Sequence, residues 1–231
     1  MKVVILAGGL GTRISEYTKS IPKPMIKVCG KPILQRIIDH YISYGHYEFY
    51  IALGYKGHLI KNYFKNKRID KKIKINLIDT GKNTLTGGRL KRLKNYLKEN
   101  FLLTYGDGLS SVNINKLVSF HKKHKKLITL SAVRPPARFG AIKIRNNIVQ
   151  YFREKNNLDE GWINGGFFVV ESKFLDLIKD DKTYLEKEPF ELATRKKQLV
   201  AYKHYGFWQC MDTLRDKEIL EKKIKNKEHI D

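Results

Sequence analysis

The stretch Lys2-Val-Val-Ile-Leu-Ala-Gly-Gly-Leu-Gly-Thr-Arg13 decides the fold. Val3 to Ala7 is an uninterrupted apolar run rich in β-branched residues, the pattern of a strand buried on both faces. It runs straight into Gly8, Gly9 and Gly11. Without a Cβ, glycine lets backbone N–H groups turn toward an anion, so the segment has the makings of a phosphate cradle as well as of an ordinary tight turn. Ile14 stands where a dinucleotide fingerprint needs its third glycine, and no Gly-Lys-Ser/Thr follows, so neither that fingerprint nor a Walker loop is present. Arg13 can fork onto phosphate oxygens. Downstream, Pro22-Lys-Pro-Met25 places Lys23 between two prolines that restrain its backbone, a cation in a fixed place.

Working outward, short apolar runs alternate with amphipathic stretches. Ile33, Leu34, Ile37, Ile38, Tyr41 and Ile42 recur at helical spacing behind Pro32. Strands are expected at Phe49–Leu53, Ile73–Ile78, Phe101–Tyr105 and Leu127–Val133, and helices at Leu59–Phe64 and Val112–Lys123. This alternation predicts an α/β fold, a Rossmann-like mainly parallel sheet flanked by helices. Later the character changes. Gly140–Ile144 and Ile148–Phe152 read as a small inserted hairpin around Asn146-Asn147, followed by strands at Ile163–Val170 and Leu199–His204. Helices are expected at Ser172–Ile178, Pro189–Arg195 and Thr213–Lys225. With no repeat and no Pro/Gly/Ser linker, 1–231 reads as a single domain.

The composition narrows the function. The chain has 231 residues, with 46 Lys+Arg against 23 Asp+Glu and a net charge of +23. The lysines are spread along the chain rather than gathered on one motif, and read as solvated surface. Nucleic acid is therefore not the expected partner, although a basic nucleic-acid-binding protein is the competing reading from another class. Two cysteines, Cys29 and Cys210, form no disulfide framework and no cysteine-based zinc site. No apolar run reaches the roughly 18 residues of a membrane span, and the first strand is too short for a secretory core. A soluble protein of the cytoplasm is expected.

The motifs recur in order along the chain. Leu6-Ala-Gly-Gly-Leu-Gly-Thr-Arg13 with Pro22-Lys-Pro-Met25 resembles the signature of the sugar-1-phosphate nucleotidyltransferases. Gly54-Tyr-Lys-Gly57, Asp79-Thr-Gly81, Thr86-Gly-Gly-Arg89, Thr104-Tyr-Gly-Asp-Gly108, Gly161-Trp-Ile-Asn-Gly-Gly-Phe-Phe168 and Gly206-Phe-Trp-Gln-Cys-Met-Asp-Thr213 are similar to motifs of the glucose-1-phosphate cytidylyltransferases within that superfamily. The resemblance implies CMP transfer from CTP to a small phosphorylated acceptor, pyrophosphate release and Mg²⁺ as cofactor. It implies a nucleotide-binding part at about 1–112 and an acceptor-binding part at about 113–231, and it allows a homo-oligomer.

Site residues follow residue by residue. Arg13, Lys23 and Asp107 are the expected catalytic groups. Leu6, Ala7, Gly8, Gly9, Gly11, Thr12, Gly88, Arg89 and Gly106 join Arg13 and Lys23 on the nucleotide side. Thr86–Arg89 is expected to open a helix, whose N-terminus would favour anions. Read from spacing alone, Asp107 is a turn aspartate and Asp212 an N-cap, while Arg89 reads equally as a surface residue or a nucleotide contact; the resemblance makes Asp107 and Asp212 the metal ligands. It places Trp162, Lys155, Asn164, Gly165 and Glu171 on the acceptor side. The chain departs from the resembling pattern at Asn156 and Cys210, each of which stands where that pattern has proline. It also departs in the short connection between Phe64 and Ile73. The trimmed connection leaves room for a non-sugar acceptor such as phosphoglutamine beside a hexose phosphate.

Overall fold

The computed structural model describes residues 1–136, 141–153 and 161–227. The chain runs β1 (Val3–Ala7), α1 (Ser15–Thr18), β2 (Lys27–Val28), β3 (Lys31–Pro32), α2 (Ile33–Ser43), β4 (Glu48–Leu53), α3 (Gly57–Lys65), β5 (Lys74–Asp79), α4 (Thr86–Arg92), β6 (Phe101–Tyr105) and β7 (Gly108–Ser110). It continues through α5 (Ile114–His124), β8 (Ile128–Val133), β9 (Ala141–Arg145), β10 (Ile148–Arg153), β11 (Ile163–Val170), α6 (Glu188–Arg195), β12 (Leu199–Lys203), β13 (Trp208–Cys210) and α7 (Leu214–Lys225).

Seven strands make one sheet in the order β12-β8-β11-β6-β1-β4-β5. β1, β4, β5 and β6 are parallel, β12 is parallel to β8, and β11 runs against both its neighbours. The mainly parallel sheet read from the alternation is thus present. From β1 the chain moves to β4 and β5 on one side and returns to β6 on the other. A crevice at the carboxyl ends of the strands, where the order reverses, is where such sheets hold ligands.

Alternate side chains of each strand face opposite layers. In β1, Val3, Ile5 and Ala7 share a core with Ile33, Leu34, Ile37, Ile38 and Tyr41 of α2, while Val4 and Leu6 share a second core with Leu90 of α4 and Phe190 of α6. Each fully buried Ile or Leu contributes roughly 1.5–3 kcal/mol relative to an exposed one. The two layers therefore pin β1 from both sides and fix the height of the loop that follows it.

The inserted hairpin is β9 paired antiparallel with β10, and Asn146 and Asn147 turn it at φ 49 and 62. Both positive values suit a primed two-residue turn, which asparagine tolerates. The expected helix after β11 is a 3-10 segment instead, Ser172–Leu177, closed by Phe174 N donating to Glu171 O at 2.9 Å. Six residues between a strand end and a turn give an α-helical nucleus too little length, and the tighter closure prevails. Among the described residues, no helix is long and apolar enough to cross a membrane.

Candidate active site

The glycine loop leaves β1 at its carboxyl end. Gly11 adopts φ +65, a left-handed conformation that favours glycine. Its carbonyl accepts from Ile14 N at 3.1 Å and from Thr18 Oγ1 at 3.1 Å, closing a 3-10 turn over Thr12–Ile14. That turn buries Ile14 and carries Arg13 outward, its side chain 73% exposed. Packed against this loop, Lys23 begins a second 3-10 turn, in which Met25 N donates to Pro22 O at 2.8 Å.

Two carboxylates meet at Lys23. Its Nζ donates to Asp107 Oδ2 at 2.7 Å and to Asp212 Oδ1 at 2.6 Å, and Arg13 Nη1 donates to Asp212 Oδ2 at 2.7 Å. Asp107 directly precedes β7, and Asp212 lies two residues beyond β13. These short strands pair antiparallel with Cys210 opposite Gly108, and Met211 N donates to Asp107 O at 2.9 Å. A ribbon closed between segments about a hundred residues apart therefore brings the carboxylates together.

Burial opposes the charge on Lys23, but Asp107 and Asp212 more than offset it, and its pKa lies above the usual lysine value. Burial likewise opposes the Asp212 charge, yet the hydrogen bond and charge of Lys23, with Arg13, hold its pKa below the usual carboxylate value. The Cys210 thiol is pushed up to about 12 by burial, then by the charges of Asp212 and Asp107, so it stays protonated. Its Sγ lies 3.8 Å from Asp212 Oδ2.

Asp212 is not the cap of the last helix. Thr213 caps α7, and Asp216 completes a capping box by accepting from Thr213 N at 2.9 Å. Asp216 also accepts from Asp212 N at 3.2 Å, so it fixes the turn that presents the carboxylate while leaving the Asp212 oxygens to Lys23 and Arg13. Replacing Asp216 with alanine is expected to lower stability by about 1–3 kcal/mol, since buried donors lose their acceptor. Urea denaturation reads it, and a midpoint equal to wild type would contradict this role.

Arg89 has a place the spacing did not suggest. It is 4% exposed. Its Nη1 donates to Leu53 O at 3.1 Å, Thr80 Oγ1 at 2.9 Å and Gly81 O at 2.6 Å, and its Nη2 to Gly8 O at 2.8 Å and Lys82 O at 3.2 Å. One guanidinium thus ties together the loops leaving β1, β4 and β5. A Cβ on Gly8 would lie 2.3 Å from Arg89 Nη1, so glycine is required there for the guanidinium to pass. Burial lowers the Arg89 pKa from its ordinary value, with Asp79 opposing that shift.

Two cavities open at this edge of the sheet. The larger, about 540 Å³, is lined by Leu6, Ala7, Gly8, Gly9, Gly11, Thr12, Arg13, Lys23, Arg89 and Gly106, with Lys82–Thr86 and Tyr184 forming its far wall. The second, about 410 Å³, is lined by Asn164, Gly165, Glu186, Trp208, Cys210 and Asp212 among others. Arg13, Tyr105 and Asp107 line both. The Tyr105 hydroxyl donates to Glu186 Oε1 at 2.6 Å, and Thr86 Oγ1 donates to Glu186 Oε2 at 2.7 Å. Burial and the Glu186 charge raise the Tyr105 pKa, so the hydroxyl keeps its proton. Asn164 Nδ2 donates to the Tyr105 oxygen at 3.4 Å, and Trp208 Nε1 donates to Gly165 O at 2.8 Å.

The expected site residues divide accordingly. Arg13, Lys23, Asp107 and Asp212 come together, as do Asn164 and Gly165 in the second cavity. Gly88 does not face the cleft: its Cα packs on Asp181, where a Cβ would lie 2.4 Å from Asp181 Cα. The N-terminus of α4 is not open to an anion either, because Gly87 N and Gly88 N both donate to Thr183 O at 3.0 and 3.3 Å. Glu171 lies at the opposite end of the sheet. It follows Val170, which pairs with Phe101 at the start of β6, roughly 20 Å along the strand from Asn164. Trp162 lines neither cavity; the Arg134 guanidinium lies 5.0 Å and Lys203 Nζ 5.5 Å from its ring centroid. Lys155 lies outside the described residues. Tyr105, Glu186 and Trp208 were not singled out by the sequence, although Tyr105 and Trp208 stand inside quoted motifs.

The chain matches the family model of the nucleotidyl transferases over residues 2–212. It is 46% identical over 244 residues to glucose-1-phosphate cytidylyltransferase of Salmonella typhimurium, covering 96% of this chain and 95% of that protein. It is 40% identical over 237 residues to a probable glucose-1-phosphate cytidylyltransferase of Bacillus subtilis, covering 94% and 93%. Among solved structures it resembles HddC from Yersinia pseudotuberculosis complexed with GMP-PN, with a TM-score of 0.75 and 25% identity over 96% of this chain and 99% of that one.

Proposed function

The chain belongs to the nucleotidyl transferase family, and on that premise we propose that it is a cytidylyltransferase, moving CMP from CTP to a small phosphorylated acceptor with release of pyrophosphate. Glucose-1-phosphate is the acceptor the Salmonella and Bacillus relatives favour. The observation that carries the mechanism is the shared wall. Two cavities meet at Arg13, Tyr105 and Asp107, so a nucleotide in one and an acceptor in the other face each other there. Residues 1–112 then carry most of the nucleotide site and 113–231 most of the acceptor site, with Tyr184 reaching across from the second part and Arg13, Tyr105 and Asp107 from the first.

The acceptor phosphate has its second pKa near ~6 and is largely dianionic at neutral pH, so it needs no general base. One of its oxygens bonds to the α-phosphorus as the bond to the β-phosphate oxygen breaks. The difficulty is the approach of two polyanions, and positioning with fixed positive charge answers it. Arg13 and Lys23 draw the phosphates together over the glycine loop. The wall from Lys82 to Thr86 takes the base and ribose. The Tyr105 hydroxyl and Asn164 are placed to orient the acceptor.

The residues also fit Mg²⁺. Asp107 and Asp212 aim oxygens at a common point, now held by Lys23 Nζ at 2.7 and 2.6 Å, and hard carboxylate oxygens suit that ion. These two side chains would hold it, and when bound it would supply positive charge to the phosphates. An enzyme of this kind would draw on the CTP of the cytoplasm.

A pyrophosphate-release screen tests the reading, with four nucleoside triphosphates each paired with glucose-1-phosphate, other sugar phosphates and phosphoglutamine. Pyrophosphate is expected with CTP, and only when a phosphorylated acceptor is present. Release from none of the pairs, with salt-dependent binding to random duplex, would instead favour the nucleic-acid reading.

A further inference from the structure

Lys23 stands at the one point on which both carboxylates converge. Its side chain is 10% exposed, and its Nζ bridges Asp107 and Asp212 at 2.7 and 2.6 Å. With Arg13 on the remaining Asp212 oxygen, two cations face two anions, and the group is neutral as it stands. We propose that Lys23 is an internal counter-ion that closes this site to free divalent cations, so that a metal enters only together with the triphosphate. The proposal rests on the nucleotide reading above for the identity of that second partner.

Charge and geometry both support it. A divalent cation approaching the carboxylates meets an ammonium already in place, and at such short range like charges repel. The protein offers few ligands to compensate. Among the described residues no cluster of three or more His, Cys, Asp or Glu side chains is positioned to hold a metal. An ion of six-fold oxygen preference must therefore bring most of its ligands with it, as phosphate oxygens and water.

Lys23 has somewhere to go. Its backbone is set by Pro22, Pro24 and the 3-10 turn. A Cβ on Gly11 would lie 3.2 Å from Lys23 Cβ, so the root of the side chain is packed against the loop. Only the outer stem is left to turn, and it lines the same cavity as Gly8, Gly9 and Thr12. A triphosphate seated there offers the ammonium a new anionic partner and leaves both carboxylates to the metal.

Mn²⁺, followed by electron paramagnetic resonance of the free ion, reports binding without turnover. Wild type is expected to bind Mn²⁺ weakly alone and, with CTP, to remove more free Mn²⁺ than the same CTP removes without protein. Lys23→Met removes the counter-ion with little change of shape and leaves a net negative site. It is expected to bind Mn²⁺ without nucleotide at least about tenfold more tightly than wild type. Equal or weaker binding by a folded Lys23→Met protein would overturn the proposal. So would wild type binding Mn²⁺ as tightly without CTP as with it, a comparison that stands even if the variant does not fold. Arg13→Met, at a side chain 73% exposed, is expected to tighten Mn²⁺ binding less than Lys23→Met, and the reverse order would also count against it. If CTP does not bind at all, the cytidylyl reading falls, while the comparison of the two proteins with Mn²⁺ alone still decides the role of Lys23.

Discussion

Replacing Asp107 with asparagine lowers turnover by about two to three orders of magnitude, the loss typical when one preorganised electrostatic group is removed from a reacting centre. The substitution keeps the shape and removes the charge. Asp107 follows β6 and precedes β7, with 33% of its side chain exposed. The loss has two sources. Half of the carboxylate pair that would hold Mg²⁺ is gone, and Lys23 loses one of the two anions that keep it charged against burial. Steady-state pyrophosphate release with CTP and acceptor measures the effect, and unchanged thermal denaturation shows that the fold is intact. A turnover within a few-fold of wild type would remove Asp107 from the catalytic centre.

Arg89→Met gives the largest expected loss of stability. The guanidinium satisfies four carbonyls and one hydroxyl beneath the cleft. Methionine fills much of the same volume and satisfies none of them. Gly8 O keeps Tyr55 N and Leu53 O keeps Thr80 N, but the loss of five hydrogen bonds from a charged donor is expected to cost at least about 3 kcal/mol, and for a chain of this size that lowers Tm by roughly 6–12 °C. Because the loops after β1, β4 and β5 share this tie, CTP affinity falls with it. Lysine does not rescue, since one ammonium cannot reach five acceptors spread in the plane of a fork. Calorimetry of the variant reads the first effect and equilibrium CTP binding the second. A variant with wild-type Tm would show that the loops hold themselves.

The sheet was legible because its strands are continuous apolar runs and its helices carry clean periodic stripes. Val3–Ala7 and the stripe of α2 are examples, and both lie in the core as their patterns require. What escaped the sequence was set by contacts distant along the chain. β7 and β13 have three residues each, too few to show a period, yet their pairing is what joins Asp107 to Asp212. Arg89 sits among Lys91, Arg92 and Lys94 in sequence, and only the convergence of three strand ends on it explains its burial. The resemblance grouped Glu171 with Asn164 on the acceptor side, but an extended strand carries its two ends to opposite edges of the sheet. The competing N-cap reading of Asp212 misses by a single residue: the cap belongs to Thr213, whose β-region φ of −130 and hydroxyl suit it.

The most direct measurement is a crystal structure with a non-hydrolysable CTP analogue and Mg²⁺. The triphosphate should lie against Gly8–Arg13 within reach of Lys23, the cytosine should lie against Lys82–Thr86, and the α-phosphate should face the cavity of Tyr105 and Asn164. Nucleotide density away from the carboxyl end of β1, or a triphosphate with no contact to Arg13 or Lys23, would contradict the account.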